Sequence, residues 1–388
     1  MIIGVIIGEF VPNVQKAFDT VSLKGVSVPI AVGLIVMMWP VLTKVQYESL
    51  PRLFTSRRLV YHIGISLFLN WIVAPFIMLA LAWATLPDLP TYRTGVILVG
   101  IARCIAMVMI WNQLAGGDAN YCAVLVVVNS GLQMVLYGPY AIWFINVIGG
   151  AHGQDKIHIS YGEVAISVLI YLGIPLSLGI ITRTAFLINP RTRPFFYRKF
   201  LPLFSPISLI GLLYTILVMF AYQGRHILHN LGPVFRIFVP LVLYFMIMWV
   251  LGFSVVYWLG RRNRARRQYA GMCACRGLDT NTYYPEKTGP DNGPVVAPSS
   301  CTPQPAQQET GFWGYDMAVV QAFTAGSNNF ELAIAIAIAV YGVGSDQALA
   351  ATIGPLVEVP VLLSLTYLAL WLGKRLSWDA SANSATSA

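Results

Sequence analysis

Charged side chains are scarce in this sequence. Among its 388 residues only 16 are Asp or Glu and 25 are Lys or Arg, while 57% are hydrophobic, and the mean hydropathy is +0.67. So few charges cannot cover the surface of a water-soluble protein of this length. The composition therefore excludes a soluble globular fold and predicts an all-α polytopic membrane protein.

Cysteines and nucleotide-binding motifs are also sparse. Of the five cysteines, Cys104 and Cys122 fall in apolar stretches, so a disulfide framework is not indicated. Cys273, Cys275 and Cys301 fall in a polar segment, where the "CAC" spacing fits no zinc motif well, and a soft-metal site there is an alternative to a plain linker. Because no GxxxxGK[ST] loop occurs, we expect no ATP site, no cofactor and no enzyme activity, and an ATPase subunit is not implied.

Apolar stretches that are long enough to cross a bilayer, which takes about 20 residues, recur along the whole chain. We interpret them as ten spans, of which the first is short, since twelve residues of helix reach only about 18 Å. That helix is either half a span or truncated, and a cleaved signal peptide is disfavoured because no basic n-region is present. The spans are approximately 1–12, 28–43, 59–84, 92–115, 119–148, 160–186, 204–223, 234–260, 312–342 and 347–373.

The distribution of Lys and Arg predicts the orientation. Most of these 25 residues lie in loops that share one side of the membrane when the N-terminus is placed inside. Since basic loops stay in the cytoplasm, we expect both termini and the 261–311 loop to be cytoplasmic in a multi-pass plasma-membrane protein. The asymmetry also accounts for the net charge of +9 without nucleic-acid binding.

One long polar segment interrupts the spans and suggests the domain boundaries. Residues 261–311 begin with "RRNRARRQ" and continue rich in Pro, Gly, Ser, Thr and Gln. That composition predicts a disordered loop whose arginines lie on anionic membrane lipid. Residues 1–150 are expected to form a first five-helix repeat, and residues 151–260 to form spans six to eight of a second repeat. Residues 312–375 form spans nine and ten of that second repeat, and residues 376–388 form a cytoplasmic tail.

Three ionisable residues fall near the middle of their spans, namely Arg103, Glu331 and Glu358. A charge at the bilayer centre costs about 2.5 to 3.5 kcal/mol even on lenient insertion scales, so such residues are functional candidates by default. Uncharged polar side chains accompany them, for which hydrogen bonding between helices is the alternative role. These are Asn70, Cys104, Asn129, Ser327, Asn328 and Asn329.

The two polar clusters occupy corresponding places in the two halves of the chain. Arg103 precedes Asp118 by as many residues as Glu331 precedes Asp346. Because each half has five spans, the second half enters the membrane from the opposite side. The pattern therefore predicts two inverted five-helix repeats.

A glycine precedes each polar cluster, Gly100 in span four and Gly326 in span nine. We expect both helices to unwind there at mid-membrane, which the bilayer tolerates only where the backbone lines a cavity. Close helix packing is the alternative role of these glycines. A polar cavity explains why Arg103 is kept in the membrane, with Glu331 or Glu358 as its counter-charge.

Three segments make the sequence resemble a known family. They read "GIARCIAMVMIWNQLAGGD", "VVVNSGLQMVLYGP" and "SNNFELAIAIAIAVYG", and they are similar to the arsenical-resistance-3 family of arsenite efflux permeases, within the bile acid, arsenite and riboflavin transporter superfamily. The resemblance covers nearly the whole chain and implies a ten-span, two-domain carrier with broken, crossing helices four and nine. It also implies export of trivalent arsenite, and often antimonite, in exchange for protons.

The resemblance carries over residue by residue. Cys104 matches the family's span-four cysteine, and the family's other polar and aromatic span positions are matched by Arg103, Trp111, Asn129, Asn329, Glu331 and Glu358. Two features depart from the pattern: the first span is short, and the "CAC" loop is longer than in bacterial members and looks more like the loop of fungal ones.

The chemistry of arsenic agrees with a site at these residues. As(III) is a soft, thiophilic centre whose preferred protein ligand is a thiolate, so Cys104 is predicted to bind the metalloid, and the adjacent Arg103 favours the thiolate form. A single thiolate binds loosely enough to let the substrate leave. Because arsenite is neutral and hydroxylated at pH 7, we expect its hydroxyls to hydrogen-bond to Asn129, Ser327 and Asn329.

Proton coupling is assigned to buried carboxyl groups, which can take and release a proton near neutrality. Glu331 is the first candidate because it lies beside the expected break, and Glu358 is the second. Two alternatives belong to other classes: a sodium-coupled organic-anion transporter of the same superfamily, with Arg103 holding the anion, and a non-transporting scaffold or receptor. Cys104 argues against the first, because an organic-anion site needs no thiolate, and the buried ionisable residues argue against the second.

Overall fold

The computed structural model describes residues 2–11, 22–23, 26–44, 47, 57–104, 107–148, 162, 166, 169–229, 231–276 and 313–378. These residues are helical almost throughout, apart from a short antiparallel strand pair of β1 (Ser22–Leu23) and β2 (Val26–Ser27). The helices are α1 (Ile2–Phe10), α2 (Val28–Lys44), α3 (Arg57–Leu67), α4 (Ala74–Thr85), α5 (Pro90–Ile101), α6 (Met107–Leu114), α7 (Ala119–Ile142), α8 (Ile174–Ile188), α9 (Arg193–Phe195), α10 (Leu201–His229), α11 (Leu231–Arg276), α12 (Tyr315–Ala325), α13 (Phe330–Tyr341) and α14 (Asp346–Arg375). The π-helical segments are Phe68–Val73, Trp143–Ile148, Leu169–Gly173 and Phe196–Phe200.

Six continuous helices in the described part of the chain are long and apolar enough to cross a membrane. They include stretches of α-helix joined by the π-helical segments, and two shorter apolar helices accompany them, α2 and α13. The long helices are Leu59–Thr85, Ala119–Ile148, Leu169–Ile188, Arg193–Gly224, Leu231–Ala265 and Asp346–Arg375. The predicted polytopic all-α class is thereby confirmed, whereas the count of ten spans stays a prediction, because the predicted spans at 92–115 and 312–342 are each two shorter helices.

Helix α11 has 46 residues, more than twice the roughly 20 residues that a helix needs to cross a bilayer. It continues without a break to Arg276, so the prediction that a disordered loop begins at residue 261 is wrong for its first part. The sequence "RRNRARRQYAGMCACR" contains no proline and only one glycine, and helix propagation past the lipid boundary is therefore inexpensive. Residues 277–311, including Cys301, lie outside the described residues.

The helices pack into two groups that do not follow the halves of the sequence. In the first group, here called the small bundle, α10 packs against α1 and α2, and α2 packs against α8. In the second, the crossing bundle, α3 to α7 pack with α11 to α14. Each half of the chain therefore contributes to both bundles, and the predicted sequence domains at 1–150 and 151–260 are not packing units.

Glycines bring α1 and α10 into close contact. Gly4 and Gly8 form a GxxxG pattern on α1, and a Cβ added at Gly4 would lie 2.8 Å from the carbonyl oxygen of Leu217. A Cβ at Gly8 would collide with the carbonyl oxygen of Ala221. Small residues of this kind let two membrane helices approach to backbone contact, and they attach the short α1 firmly to the small bundle.

Replacement of Gly8 by leucine is expected to separate α1 from α10. Overpacking of a close contact costs about 1–3 kcal/mol, so the melting temperature of the purified protein in detergent should fall. Gly64→Leu on α3 is the matched control, because a Cβ added there meets nothing within 4 Å. Equal melting temperatures for both variants would show that α1 does not stabilise the bundle.

Candidate functional site

Two helices of the crossing bundle are interrupted, and the interruptions face each other. Helix α5 ends at Ile101, after which Ala102 is extended (φ −74°, ψ 120°), and α6 begins at Met107. Helix α12 ends at Ala325, and α13 begins at Phe330. The breaks predicted in the fourth and ninth predicted spans are therefore present.

The two interruptions hydrogen-bond to each other. Arg103 and Asn328 form an isolated antiparallel bridge, and the backbone N–H of Asn329 donates to the carbonyl oxygen of Ala102 at 3.2 Å. The side chain of Asn328 donates to the carbonyl oxygen of Val99. Backbone groups that leave a helix inside a membrane need partners within the protein, and each interruption supplies partners for the other.

The two glycines that predicted the breaks play different parts. Gly326 directly follows α12 and caps it, with its N–H donating to Ala322. Gly100 lies one residue inside α5, and a Cβ there would collide with Met78 of α4. Gly326 therefore marks a break, whereas Gly100 serves close helix packing, the role considered above as the alternative.

Arg103 is fully buried, and its partners correct the prediction that Glu331 or Glu358 is its counter-charge. The guanidinium donates to the carbonyl oxygens of Ile101, at 3.2 Å, and Gly100, and to the hydroxyl of Tyr244 at 3.0 Å. Among the described residues, neither carboxylate lies within ion-pair distance of it. The carbonyls released at the end of α5 carry the partial negative charge of a helix C-terminus, and they replace a carboxylate as the partner.

Cys104 follows in the extended segment and is only 2% exposed. Its Sγ accepts a hydrogen bond of 3.3 Å from the backbone N–H of Val108, in the first turn of α6. Ser327 of the second interruption places its hydroxyl within hydrogen-bonding reach of the thiol, and both Glu331 and Glu358 lie within electrostatic range of it. The place where the two interruptions meet, here called the crossing, therefore gathers one thiol, one hydroxyl and two carboxyl groups. They come from segments that are more than 200 residues apart.

The two carboxyl groups have different surroundings. Glu358 of α14 is 2% exposed, the backbone N–H of Asn328 is directed at its carboxylate, and its Oε1 has no hydrogen-bond partner among the described residues. Glu331, in the first turn of α13, is 9% exposed and lines a cavity of about 10 Å³ between the two bundles, together with Thr215 of α10 and Thr352 of α14. That volume holds about one water molecule. Glu331 therefore faces the interface between the bundles.

The remaining predicted site residues are all buried. Asn329 caps α13, its Oδ1 accepting from the N–H of Leu332 at 3.1 Å, and Ser327 donates to the carbonyl oxygen of Phe323 at 2.6 Å. Trp111 lies one turn into α6, and its indole nitrogen has no partner among the described residues.

Asn129, on α7, accepts a hydrogen bond of 3.0 Å from the indole N–H of Trp71. The contacts of the described residues link Asn129 to the crossing through helix α7. Arg103, Cys104, Ser327 and the two glutamates, in contrast, meet at the crossing itself. Asn70, the polar residue assigned to no site, bonds within its own helix to the carbonyl oxygen of Ser66 at 2.8 Å.

Two residues at the crossing were missed by the sequence analysis. Gln133 of α7 accepts a hydrogen bond from the backbone N–H of Arg103, and its spacing of four residues from Asn129 is a signal that could have found it. Tyr244 of α11 binds the guanidinium of Arg103 from 141 residues away. Nothing local to Tyr244 in the sequence signals that contact.

Comparison with known proteins agrees with this architecture. The profile of the sodium bile acid symporter family matches residues 31–230. The chain is 37% identical to the arsenical-resistance protein Acr3 of Corynebacterium glutamicum, over 97% of this chain and 87% of the relative. It is 28% identical to an uncharacterised transporter of Synechocystis, over 94% and 84%, and 27% identical to Acr3 of Alkaliphilus metalliredigens, over 94% and 87%.

The broken helices, the buried polar crossing and the apolar helices around it define a secondary transporter, a multi-pass membrane protein and not an enzyme. Within that class, the chain belongs to the Acr3 arsenical-resistance family, a branch of the sodium bile acid symporter family.

Proposed function

We propose that this protein exports trivalent arsenite from the cytoplasm in exchange for protons and so confers arsenic resistance. The observation that carries the proposal is the position of Cys104, a buried thiol in the extended segment of one broken helix, with a hydroxyl and two carboxyl groups from the other side of the crossing around it. Two relatives named arsenical-resistance protein Acr3 support it.

The thiol selects the substrate class. As(III) is soft and binds sulfur in preference to oxygen, and the As–S bond forms as one hydroxyl of arsenite leaves with the thiol proton as water. Ser327 lies within hydrogen-bonding reach of the thiol, and the backbone N–H of Asn329 binds Ala102, two residues before Cys104. Both side chains supply hydrogen bonds for the remaining hydroxyls. Antimonite, a hydroxylated trivalent species of the next element in the group, fits the same donor set.

The carboxyl groups supply the proton exchange. Glu331 faces the cavity between the small bundle and the crossing bundle, where a relative movement of the bundles changes its access to water. Glu358 lies deeper, beside Asn328. We assign the coupling proton to Glu331 first and to Glu358 second.

The packing supports a ten-helix inverted repeat. In the first half of the chain, α1 and α2 belong to the small bundle, and in the second half α8 and α10 do. In both halves the following helices, one of them broken, belong to the crossing bundle. A pair of broken helices in corresponding positions is typical of repeat-built carriers whose substrate site lies at mid-membrane. From the distribution of Lys and Arg, both termini and residues 261–311 are cytoplasmic in the plasma membrane, with the arginines at the end of α11 on anionic lipid.

The competing proposal is a sodium-coupled organic-anion carrier, which the name of the matched family favours. Under that proposal Arg103 binds the anion. Its guanidinium instead directs all three of its nitrogens, with three of its five N–H groups, at two backbone carbonyls and Tyr244, and these contacts fix it within the fold. Proton-coupled arsenite export is therefore the better account.

Everted membrane vesicles test the proposal directly. Because the vesicle lumen corresponds to the outside of the cell, an acidic lumen should accelerate arsenite uptake, and an imposed sodium gradient should not. Vesicles from cells without the protein provide the background rate. Uptake that follows the sodium gradient and ignores the pH gradient would support the organic-anion type of coupling instead.

A further inference from the structure

Helix α7 carries two buried amide side chains on one face. Asn129 and Gln133 are four residues apart, which places them one above the other on the helix, and they are 1% and 0% exposed. The backbone N–H of Arg103, the residue before the site thiol, contacts Gln133. The pair therefore lies along the wall beside the first interruption.

The orientation of both amides is determined by their partners. The indole N–H of Trp71 donates to Oδ1 of Asn129 at 3.0 Å, and the backbone N–H of Arg103 donates to Oε1 of Gln133. Both partners are obligate donors, so each amide must present its oxygen to them and direct its NH₂ group elsewhere. Neither Nδ2 of Asn129 nor Nε2 of Gln133 has a hydrogen-bond partner among the described residues.

Two other buried glutamines, Gln321 and Gln223, have the opposite arrangement. Nε2 of Gln321 donates to the carbonyl oxygen of His62 at 2.7 Å, and Nε2 of Gln223 donates to that of Val343 at 2.9 Å. Their donors are used within the fold. Since buried polar groups are almost always paired, two free donors side by side on α7 indicate a partner that arrives from outside the chain.

We propose that the NH₂ groups of Asn129 and Gln133 form a paired donor site for the hydroxyl oxygens of a neutral hydroxylated metalloid bound at Cys104. This inference rests on the proposed function, and it assigns to Gln133 a substrate contact. Amide donors repel a cation, and sodium requires oxygen ligands, so the orientation of the pair also disfavours a sodium site on this face of α7.

Protection of Cys104 from alkylation measures the contact without measuring transport. Full-length protein is treated with N-ethylmaleimide over a range of arsenite concentrations, and modification of the peptide containing Cys104 is followed by mass spectrometry. In Gln133→Met, the arsenite concentration that gives half-protection should rise roughly three- to tenfold, the effect of one lost hydrogen bond. Because this variant also removes the oxygen that accepts from the N–H of Arg103, Asn129→Leu, which keeps that hydrogen bond, is measured beside it. Asn129→Leu should show the same rise, with an unchanged alkylation rate in the absence of arsenite. Gln321→Met is the matched control and should protect like the wild type.

The outcomes separate the inference from the proposed function. Half-protection of Gln133→Met at the wild-type concentration overturns the donor site. A rise in Gln133→Met alone, with Asn129→Leu protected like the wild type, also overturns it, because Gln133 then only positions the extended segment. If arsenite fails to protect Cys104 in the wild type, the proposed function itself falls. Should Gln133→Met not insert, Asn129→Leu is used in its place, with the same expected shift.

Discussion

Arsenite export is expected to collapse in Cys104→Ser while the protein remains folded and inserted. Serine keeps the size and polarity of the side chain and still accepts a hydrogen bond from the N–H of Val108, which binds Sγ at 3.3 Å. It offers a hard oxygen where As(III) prefers soft sulfur. Removal of a residue that only supports the ligands of a bound metal lowers metal affinity or activity about 10- to 100-fold. Loss of the ligand itself should therefore lower the rate of arsenite uptake into everted vesicles by at least about tenfold.

A second buried cysteine provides the control for this experiment. Cys122 of α7 is 0% exposed and unpaired, but it lies outside the crossing, so Cys122→Ser should transport arsenite at close to the wild-type rate. The amount of each variant in the membrane is measured by immunoblot, since rates are comparable only at equal levels. Normal efflux by a well-inserted Cys104→Ser would contradict thiolate binding and leave a hydroxyl-recognition site at Asn129, Ser327 and Asn329 as the better account.

The structure also changes the interpretation of Arg103. A guanidinium in a membrane predicted a carboxylate partner, and its partners are instead the carbonyls that α5 releases at its own break, together with Tyr244. Arg103 therefore holds the break open, and it presents its neighbour Cys104 to the crossing. Each of its three guanidinium nitrogens has a partner within the fold, as a residue that positions the site requires.

Some features of this fold were predictable from local sequence, and others were not. Long apolar stretches predict membrane helices because the bilayer requires them, and Gly326 followed by polar residues predicts an interruption. Pairing of Arg103 with Tyr244, 141 residues away, depends on how helices pack, and no local pattern encodes it. The same holds for the division into a small bundle and a crossing bundle, since surfaces that face lipid and surfaces that face protein are both largely apolar.

The two glutamates are expected to differ in their contribution to proton coupling. Glu331→Gln keeps the shape and hydrogen-bonding capacity of the side chain but cannot ionise. Because Glu331 faces the cavity between the bundles, its loss should abolish the acceleration of arsenite uptake by an acidic vesicle lumen. Arsenite binding, measured as protection of Cys104 from N-ethylmaleimide, should persist at nearly the wild-type concentration, since the thiol and the hydroxyl donors are unchanged.

Glu358→Gln is the matched comparison, because it makes the same chemical change on a carboxyl group that also lies within electrostatic range of Cys104. Glu358 is 2% exposed and packs beside the backbone of Asn328, and it is not among the residues that line the cavity between the bundles. The Glu358→Gln variant should therefore retain a measurable part of the acceleration of arsenite uptake by the pH gradient. If Glu358→Gln loses that response and Glu331→Gln keeps it, the coupling proton belongs to Glu358, and movement of the bundles does not control proton access through Glu331.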